Sequence, residues 1–136
     1  MTEQSARRFV SAKRRPKEDG RFIAGTGHFV ADINRPGMLH VSLVTSPYPA
    51  ARITSIKTAD AMAAPGVIDI LTGDTLASGV NPLSNSVDTP GVRCYPLAHE
   101  VVRYAGEWVV AVIAESRALA EDAAELIEIN YSPLDH

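Results

Sequence analysis

The run WVVAVIA at Trp108–Ala114 constrains the fold more than any other stretch of the chain. Both of its alternating sets of side chains are apolar, which is typical of a central strand covered on both faces of its sheet. A helix is predicted directly after it, over residues 117–126, with Ser116 as its N-cap. One face of this helix is apolar, so the helix is expected to pack on a sheet along that stripe. The stripe consists of Leu119, Ala120, Ala123, Ala124 and Ile127.

Two strand–helix–strand segments are predicted, at residues 52–72 and 107–131. A strand over residues 51–58 has Ile53 near its start and Ile56 near its end, and Thr58 is then expected to cap a short helix with Asp60 in its first turn. Pro65-Gly66 ends that helix, and residues 67–73 return as a strand. The pattern predicts an α/β or α+β domain in which two short helices cover a mixed sheet.

Alternation is clear at residues 37–46, which follow the turn signal Pro36-Gly37. Leu39, Val41 and Leu43 fall on one face of this predicted strand. Together with the apolar strand at 108–114, they give more apolar surface than two short alanine-rich helices can cover. The excess is expected to face a partner and, when the chain is isolated, to pair in a twofold homodimer.

Residues 73–96 lose this periodicity and are rich in glycine, proline, serine and asparagine. A helical turn is predicted near residues 74–76, and the rest of the segment is predicted to be a long loop. Loops of this length inside a compact domain are uncommon and are usually functional or mobile. The sequence does not decide the role of residues 77–96. Order returns at His99, with strands expected at residues 100–104 and 126–131.

Length and composition fit one domain with a core of its own. No apolar run reaches the ~18 residues that a membrane span needs, and no secretory signal is apparent at the N-terminus. The lone cysteine, Cys94, excludes an internal disulfide and agrees with a reducing compartment. The cytoplasm is therefore the expected location.

Charge is distributed unevenly along the chain. Residues 1–21 hold seven basic and three acidic side chains, although the whole chain has a net charge of −3. A basic arm could contact nucleic acid or a membrane surface, but few aromatic residues are interleaved and the rest of the chain is acidic. We therefore expect residues 1–18 to be a flexible arm that orders only against a partner, with neither nucleic acid nor membrane bound. Residues 19–136 are expected to form a single domain.

A nucleotide site is suggested at first by Gly25 and Gly27 in AGTGHFVADI. A dinucleotide fingerprint needs a third glycine at position 30 and a helix that starts there. Position 30 is Val30, and residues 31–36 have no helical pattern. The two glycines are better explained as the flexible backbone of a tight turn.

No other grouping predicts an active site. The four histidines His28, His40, His99 and His136 lack metal-ligand spacing, and Cys94 has no cysteine partner. Ser46-Pro47 lacks the surroundings of a nucleophile elbow. Glu107, next to Trp108, is either an acid of raised pKa or, as we favour, a strand-edge glutamate in water. We therefore assign no catalytic, cofactor-binding or metal-binding residue.

Several short patterns, in order along nearly the whole chain after residue 14, resemble those of the xanthine dehydrogenase/aldehyde oxidase family. The matched region is the α/β hammerhead domain of the molybdenum-carrying large subunit, with most similarity to the carbon monoxide dehydrogenase-like branch. The family pattern Gly-x-Gly-x-Tyr-x-x-Asp corresponds to Gly25, Gly27, Phe29 and Asp32, with phenylalanine in place of the tyrosine. The pattern Arg-Ser-Pro-His/Tyr-Ala-His-Ala-Arg-Ile corresponds to residues 45–53, Pro-Gly-Val to 65–67, the Thr-Gly-x-Asp-like end to Gly73-Asp74, and Val-Arg-Tyr-x-Gly-Glu to 102–107.

The sequence departs from the family patterns in three places. Thr45 stands in place of arginine, Pro49 and Ala50 replace Ala-His, and GEWVV at residues 106–110 replaces the common Gly-Glu-Pro-Val-Ala. These changes put in doubt a close copy of the family's contacts with neighbouring domains, but not the fold.

The resemblance implies an α/β hammerhead that acts as a non-catalytic scaffold subunit, or fragment, of a molybdenum hydroxylase. It would dock against the molybdopterin-binding chain and, as in some members, border the substrate channel. Family enzymes take oxygen from water and pass electrons from molybdenum through [2Fe–2S] clusters to FAD on other chains or domains, so this chain alone would bind none of these cofactors. The alternative is a free-standing module that reuses the fold to bind a small ligand or a protein.

Overall fold

The computed structural model describes Lys17, residues 19–83 and residues 95–134. The chain divides into two compact units, residues 1–36 and residues 37–136. In the first unit, helix α1 covers Asp19–Ile23 and a 3-10 turn covers Val30–Asp32. The arm predicted at residues 1–18 lies, except for Lys17, outside the described residues. No helix of the described part is long and apolar enough to cross a membrane.

The described residues of the second unit form six strands and three helices. The strands are β1 (His40–Thr45), β2 (Ala51–Lys57), β3 (Val67–Thr72), β4 (Val101–Val102), β5 (Trp108–Ala114) and β6 (Glu128–Pro133). The helices are α2 (Ala59–Met62), α3 (Gly73–Ala77) and α4 (Arg117–Glu125). The helical turn predicted near residues 74–76 is confirmed as α3, whereas the strand predicted at 100–104 is reduced to the two residues of β4.

The strands form two antiparallel sheets of three strands each. Sheet I has the order β1-β5-β3, and sheet II has the order β4-β2-β6. The predicted α/β class is confirmed, but its strands are shared between two antiparallel sheets instead of one mixed sheet. The reason is that both strand–helix–strand segments change sheet: α2 joins β2 of sheet II to β3 of sheet I, and α4 joins β5 of sheet I to β6 of sheet II. Neither helix therefore connects parallel neighbours.

Strand β5 is the centre of sheet I, as its two-sided apolar pattern predicts. Val109, Val110 and Val112 are completely buried. Helix α4 packs on this sheet, and it begins where the Ser116 hydroxyl accepts a hydrogen bond from the Leu119 backbone N–H at 3.3 Å. The buried side of the helix contains Ala120 and Ala123, so the predicted cap and the predicted packing stripe are both confirmed.

A β-bulge in β2 places Ile53 and Ile56 on the same face of the strand. Ile53 and Ile56 are three residues apart, so a regular strand would point them to opposite faces. The pairing register with β6 shifts between Ile53 and Ser55, and this leaves Thr54 as the extra residue. Both isoleucines consequently pack against the common core, where they lie opposite Tyr131 and Ile129 respectively.

The start of α2 differs from the prediction in one respect. Thr58 occupies the N-cap position and Asp60 lies in the first turn, but the Thr58 side chain makes no capping hydrogen bond. Its backbone has helical angles, φ −116° and ψ −3°, instead of the extended conformation that directs a cap hydroxyl at the helix N–H groups. The predicted stop at Pro65-Gly66 is confirmed, and Gly66 has a positive φ of 73°.

Candidate interaction site

The outer face of sheet II is polar. Lys57 and Glu128 are opposed on β2 and β6, and their side chains form an ion pair at 2.6 Å. Further along the same pair of strands, the Asn130 side-chain amide donates a hydrogen bond to the Ser55 hydroxyl at 2.9 Å, and Arg52 lies opposite Ser132. Charged and hydroxylated side chains at these positions are what a sheet face in contact with water requires.

The outer face of sheet I is mostly apolar, and it also carries Asp69, which is exposed on β3 opposite Ile113. Along β1, the side chains alternate between half-buried and exposed, and the exposed set is Val41, Leu43 and Thr45. Val41 lies opposite Ile113 and Leu43 opposite Ala111 on β5, while Leu71 of β3 also lies opposite Ala111. Opposed residues of neighbouring strands project from the same face. We call the set Leu39, Val41, Leu43, Leu71, Ala111 and Ile113 the open face.

The open face leaves large side chains in contact with water. Leu39 is 47% exposed, Val41 58% and Leu43 38%. The predicted alignment of these three residues is therefore confirmed, and they point away from the core. Ile113 belongs to the apolar strand that the sequence predicts beside these residues, whereas sequence reasoning missed Leu71, because only the strand register places it on this face, opposite Ala111 of β5.

A cleft of about 380 Å³ lies along one side of β2. One wall is β2 itself, from Arg52 to Ile56, followed by Thr58. The other wall comprises the start of α3, from Thr72 to Asp74, together with Ala98 and Glu100. The cleft thus lies between β2 and two stretches that are far apart in sequence, the start of α3 and residues 98–100.

Close packing fixes the second wall of the cleft. A Cβ placed on Gly73 would lie 2.0 Å from the Ala98 carbonyl oxygen, so the two backbones touch. Beside this contact, Nε2 of His99 is 3.2 Å from Oδ1 of Asp74. Glu100 follows with a positive φ of 62°, a conformation that non-glycine residues rarely adopt. These features hold residues 98–100 against α3, while the Glu100 carbonyl still accepts a hydrogen bond from the Ile53 N–H of β2.

Glu107 connects the two ends of the turn between β4 and β5. Its carboxylate accepts a hydrogen bond from the Arg103 backbone N–H and lies 3.8 Å from the Arg103 guanidinium. The Glu107 side chain is only 13% exposed, so the favoured interpretation of a glutamate in water is wrong. The turn also contains Gly106, with a φ of 90°, whose N–H donates to the Ser46 carbonyl. This geometry accounts for the Val-Arg-Tyr-x-Gly-Glu pattern as a structural clamp.

The glycine pattern of the first unit is also structural. Gly25 has a φ of 69°, as the turn interpretation predicts. Gly27 has a different role: a Cβ there would lie 2.2 Å from the Phe22 ring, which stacks on Phe29 with 4.8 Å between centroids. Asp32 accepts a hydrogen bond from the Phe29 N–H at 2.8 Å. The Asp32 carboxylate thus already accepts the hydrogen bond of a backbone N–H group that a bound phosphate would need.

The remaining candidate side chains are not brought together. Among the described residues, no three His, Cys, Asp or Glu side chains are placed to hold a metal ion. The Ser46 hydroxyl bonds to the Tyr48 backbone, accepting from its N–H at 3.0 Å and donating to its carbonyl at 3.2 Å. His99 pairs with Asp74, while Cys94 and His136 lie outside the described residues.

Comparison with known proteins agrees with this arrangement of sheets and motifs. Residues 24–135 match the family model described as "Aldehyde oxidase and xanthine dehydrogenase, a/b hammerhead domain". This match covers most of the chain. The chain belongs to that family.

Named relatives of the hammerhead domain are large subunits of oxidoreductases. This chain is 39% identical over 132 residues to the nicotine 6-hydroxylase large subunit of Paenarthrobacter nicotinovorans, and the match covers 94% of this chain and 16% of that protein. It is 40% identical over 127 residues to the carbon monoxide dehydrogenase large chain of Afipia carboxidovorans, covering 92% of this chain and 15% of that one. The predicted family and branch are therefore confirmed, and the hammerhead domain spans about a sixth of these relatives.

A solved structure confirms the fold. Quinoline 2-oxidoreductase from Pseudomonas putida 86 superposes with a TM-score of 0.79 at 41% identity, covering 88% of this chain and 16% of that one. The departures from the family patterns fall mostly at the surface of the hammerhead domain. Thr45, Pro49 and Trp108 are exposed, Ala50 is half-buried, and Val110 is buried.

Proposed function

We propose that the hammerhead domain is a non-catalytic scaffold of a molybdenum hydroxylase, which docks through the open face against the molybdopterin-binding part of the large subunit. The open face is the observation that supports this proposal. Isolated apolar side chains are normal on a protein surface, but a contiguous apolar sheet face marks an interaction site. The outer face of sheet II serves as a comparison within the same domain. Its exposed side chains are charged or polar, as expected for a sheet face in contact with water.

The cofactors of such an enzyme would be carried elsewhere. A [2Fe–2S] cluster needs four thiolate or histidine ligands, and the whole chain contains one cysteine. The glycine pattern at residues 25–32 already closes on Asp32 and does not lead into a helix that could hold the phosphates of FAD. We therefore propose that molybdopterin, [2Fe–2S] and FAD reside on the partner chains or domains, and that the complex is cytoplasmic.

The proposal is tested by purification from the native host. A tagged hammerhead domain is expected to be recovered at a 1:1 ratio with the molybdopterin-binding polypeptide, either fused to it or separate, and with molybdenum in the preparation. The isolated chain should contain no stoichiometric molybdenum, iron or flavin. Recovery of folded domain without a large-subunit polypeptide and molybdenum would contradict the scaffold role and favour the free-standing module.

A charge on the open face tests the docking surface itself. Val41→Glu should weaken the association by at least about tenfold, because the carboxylate would lose its water on docking. Ser132→Glu is the matched control, since Ser132 is exposed on the polar outer face of sheet II. Equal association of the two variants would show that the open face is not the docking surface.

A further inference from the structure

We infer that the free edge of β2 receives an extended segment of the same large subunit, which adds a strand to sheet II inside the cleft. The inference rests on the proposed function for the identity of the partner. Its geometric basis is independent of the open face, because the cleft belongs to the other sheet.

The edge of β2 is only partly paired. On one side, β6 pairs with β2 from Ala51 to Lys57. On the other side, β4 pairs only with Ala51 and Arg52, and the Ile53 N–H then donates to the Glu100 carbonyl at 2.8 Å. Within the described part of the chain, no strand continues beyond this point along residues 54–57. About 13 Å of strand edge is therefore available, which is enough for three or four residues of a new strand.

The early end of β4 has a visible cause. If β4 were extended backwards as a regular strand, His99 and Ala98 would continue along the edge of β2. Instead, the left-handed conformation of Glu100 turns the chain, and the contact of Ala98 with Gly73 fixes the new direction. The cleft is the space created by this divergence. A non-glycine residue in such a conformation has an energetic cost that the surrounding structure must offset.

The lining of the cleft suits a polypeptide backbone better than an ion. Arg52 lies on one wall, while Asp74 and Glu100 lie on the other, so charges of both signs line the cleft, with one more acidic than basic. Thr54, Ser55, Thr58 and Thr72 also line the cleft, but the hydroxyls of Thr54 and Ser55 bond to Asn130 and that of Thr72 accepts from the Thr75 N–H. Added strands gain affinity from main-chain hydrogen bonds, with side-chain contacts contributing specificity.

The shape of the cleft also favours one extended segment over a second copy of this chain. The wall formed by α3 and residues 98–100 stands opposite the strand edge, so a whole partner sheet would have to pass it to reach β2. A single strand needs only about 4.8 Å beside β2. The relatives are about six times as long as the matched region, so most of a large subunit lies outside this domain. A segment of that same subunit would bind at a high effective concentration.

Amide hydrogen exchange tests the inference. In the isolated chain, the edge-facing amides within residues 54–57 should exchange rapidly. In the large-subunit assembly, they should slow by about tenfold or more, because they become hydrogen-bonded. Thr58→Tyr, which fills the cleft and removes no capping hydrogen bond, should abolish this slowing. Ser132→Tyr, on the exposed outer face, should retain it, and slow exchange across Trp108–Ala114 would show that both variants are folded.

The outcomes separate this inference from the proposed function. An assembly that forms while residues 54–57 still exchange rapidly would overturn the inference and leave the scaffold role standing. Failure of the folded domain to assemble at all would overturn the scaffold role, and the inference with it. In the isolated chain, exchange at residues 54–57 that becomes slower as the protein concentration rises would identify a second copy as the occupant. This result would also overturn the inference.

Discussion

Gly73 and Ala98 are in backbone contact, and no side chain fits between them: a Cβ on residue 73 would lie 2.0 Å from the Ala98 carbonyl oxygen and 2.7 Å from its carbonyl carbon. The contact joins the start of α3 to the segment that leads into β4. It therefore closes the base of the long segment between these elements and forms part of the cleft wall.

Gly73→Ala should destabilise the domain by about 1–3 kcal/mol, because a backbone carbonyl cannot move aside as a flexible side chain can. Gly79→Ala is the matched control: a Cβ there meets nothing within 4 Å, so its effect should stay within about 0.5 kcal/mol. Urea denaturation of both variants measures the difference. Equal stability of the two would show that residues 98–100 are not held against α3.

Glu107→Ala should destabilise the domain by about 1–3 kcal/mol, because it removes the acceptor of the Arg103 N–H. Glu107→Gln should cost less, since its amide oxygen can still accept that hydrogen bond. Arg103→Ala serves as the control for charge alone: the ion pair is long and the arginine half-exposed, so its loss should cost below about 1 kcal/mol. Thermal denaturation of the three variants should rank them in this order, and a larger effect for Arg103→Ala than for Glu107→Ala would contradict the clamp.

Tyr131→Phe should leave the stability unchanged or raise it slightly. The Tyr131 hydroxyl is buried without a hydrogen-bond partner among the described residues, and burial raises the pKa of this phenol, with a smaller opposing effect of Ser46. The Ser46 hydroxyl is itself engaged by the Tyr48 backbone. Tyr131→Ala, in contrast, removes the ring that packs on Tyr48 and the core, and should cost about 2 kcal/mol. A clear loss of stability in Tyr131→Phe would reveal a hydrogen bond to this hydroxyl.

The ion pair of Lys57 and Glu128 should make a small, pH-dependent contribution to stability. The hydrogen bond and charge of Lys57 lower the pKa of Glu128, and those of Glu128 raise the pKa of Lys57. Because the folded-state pKa of Glu128 is depressed, its contribution is present above the ordinary glutamate pKa of about 4.3 and is lost as the pH falls through the lower folded value. Because the folded-state pKa of Lys57 is raised, its contribution is present below the ordinary lysine pKa of about 10.4 and is lost as the pH rises through the folded value.

Urea denaturation of the wild type and Glu128→Gln across this pH range measures that contribution. The two proteins should differ at neutral pH and converge in acid, and added salt should reduce the difference because both side chains are exposed. A difference that persists unchanged in acid would show that the pair acts through packing instead of charge.

The isolated chain is predicted to self-associate through the open face, most simply as a twofold dimer. Val41→Glu should yield a folded monomer, whereas Ser132→Glu should associate like the wild type. Light scattering at increasing concentration measures this, with circular dichroism to confirm folding. A wild type that stays monomeric at high micromolar concentration would contradict the prediction.

Local patterns allowed the elements to be predicted, and long-range contacts explain what was missed. The strand β5, the helix α4 with its Ser116 cap and the exposed set on β1 follow from periodicity within a few residues. The distribution of strands between two sheets does not, because it depends on pairings such as Ile56 with Ile129, which lie far apart in the sequence.

The candidate site was predictable only in part, for the same reason. The residues around Thr54 contain no pattern that predicts a bulge. The left-handed conformation of Glu100 was also not predictable, because glycine is the residue expected in that conformation. The carboxylate of Glu107 reaches the Arg103 N–H only once the turn has formed. Of Thr54, Glu100 and Glu107, only Glu107 lies within a family pattern, and the structure supplies the physical cause of that pattern.

The crossing of both strand–helix–strand segments between sheets has a consequence for synthesis on the ribosome. Sheet I can be completed once β5 has emerged, but β2 must wait for β6: Thr54 and Asn130, which are hydrogen-bonded across that pair, lie 76 residues apart. At about 5–20 residues per second, this interval lasts about 4–15 s. During that time Ile53 and Ile56 lack the strand that pairs with them in the folded domain, so their side chains stay exposed for longer than those of sheet I.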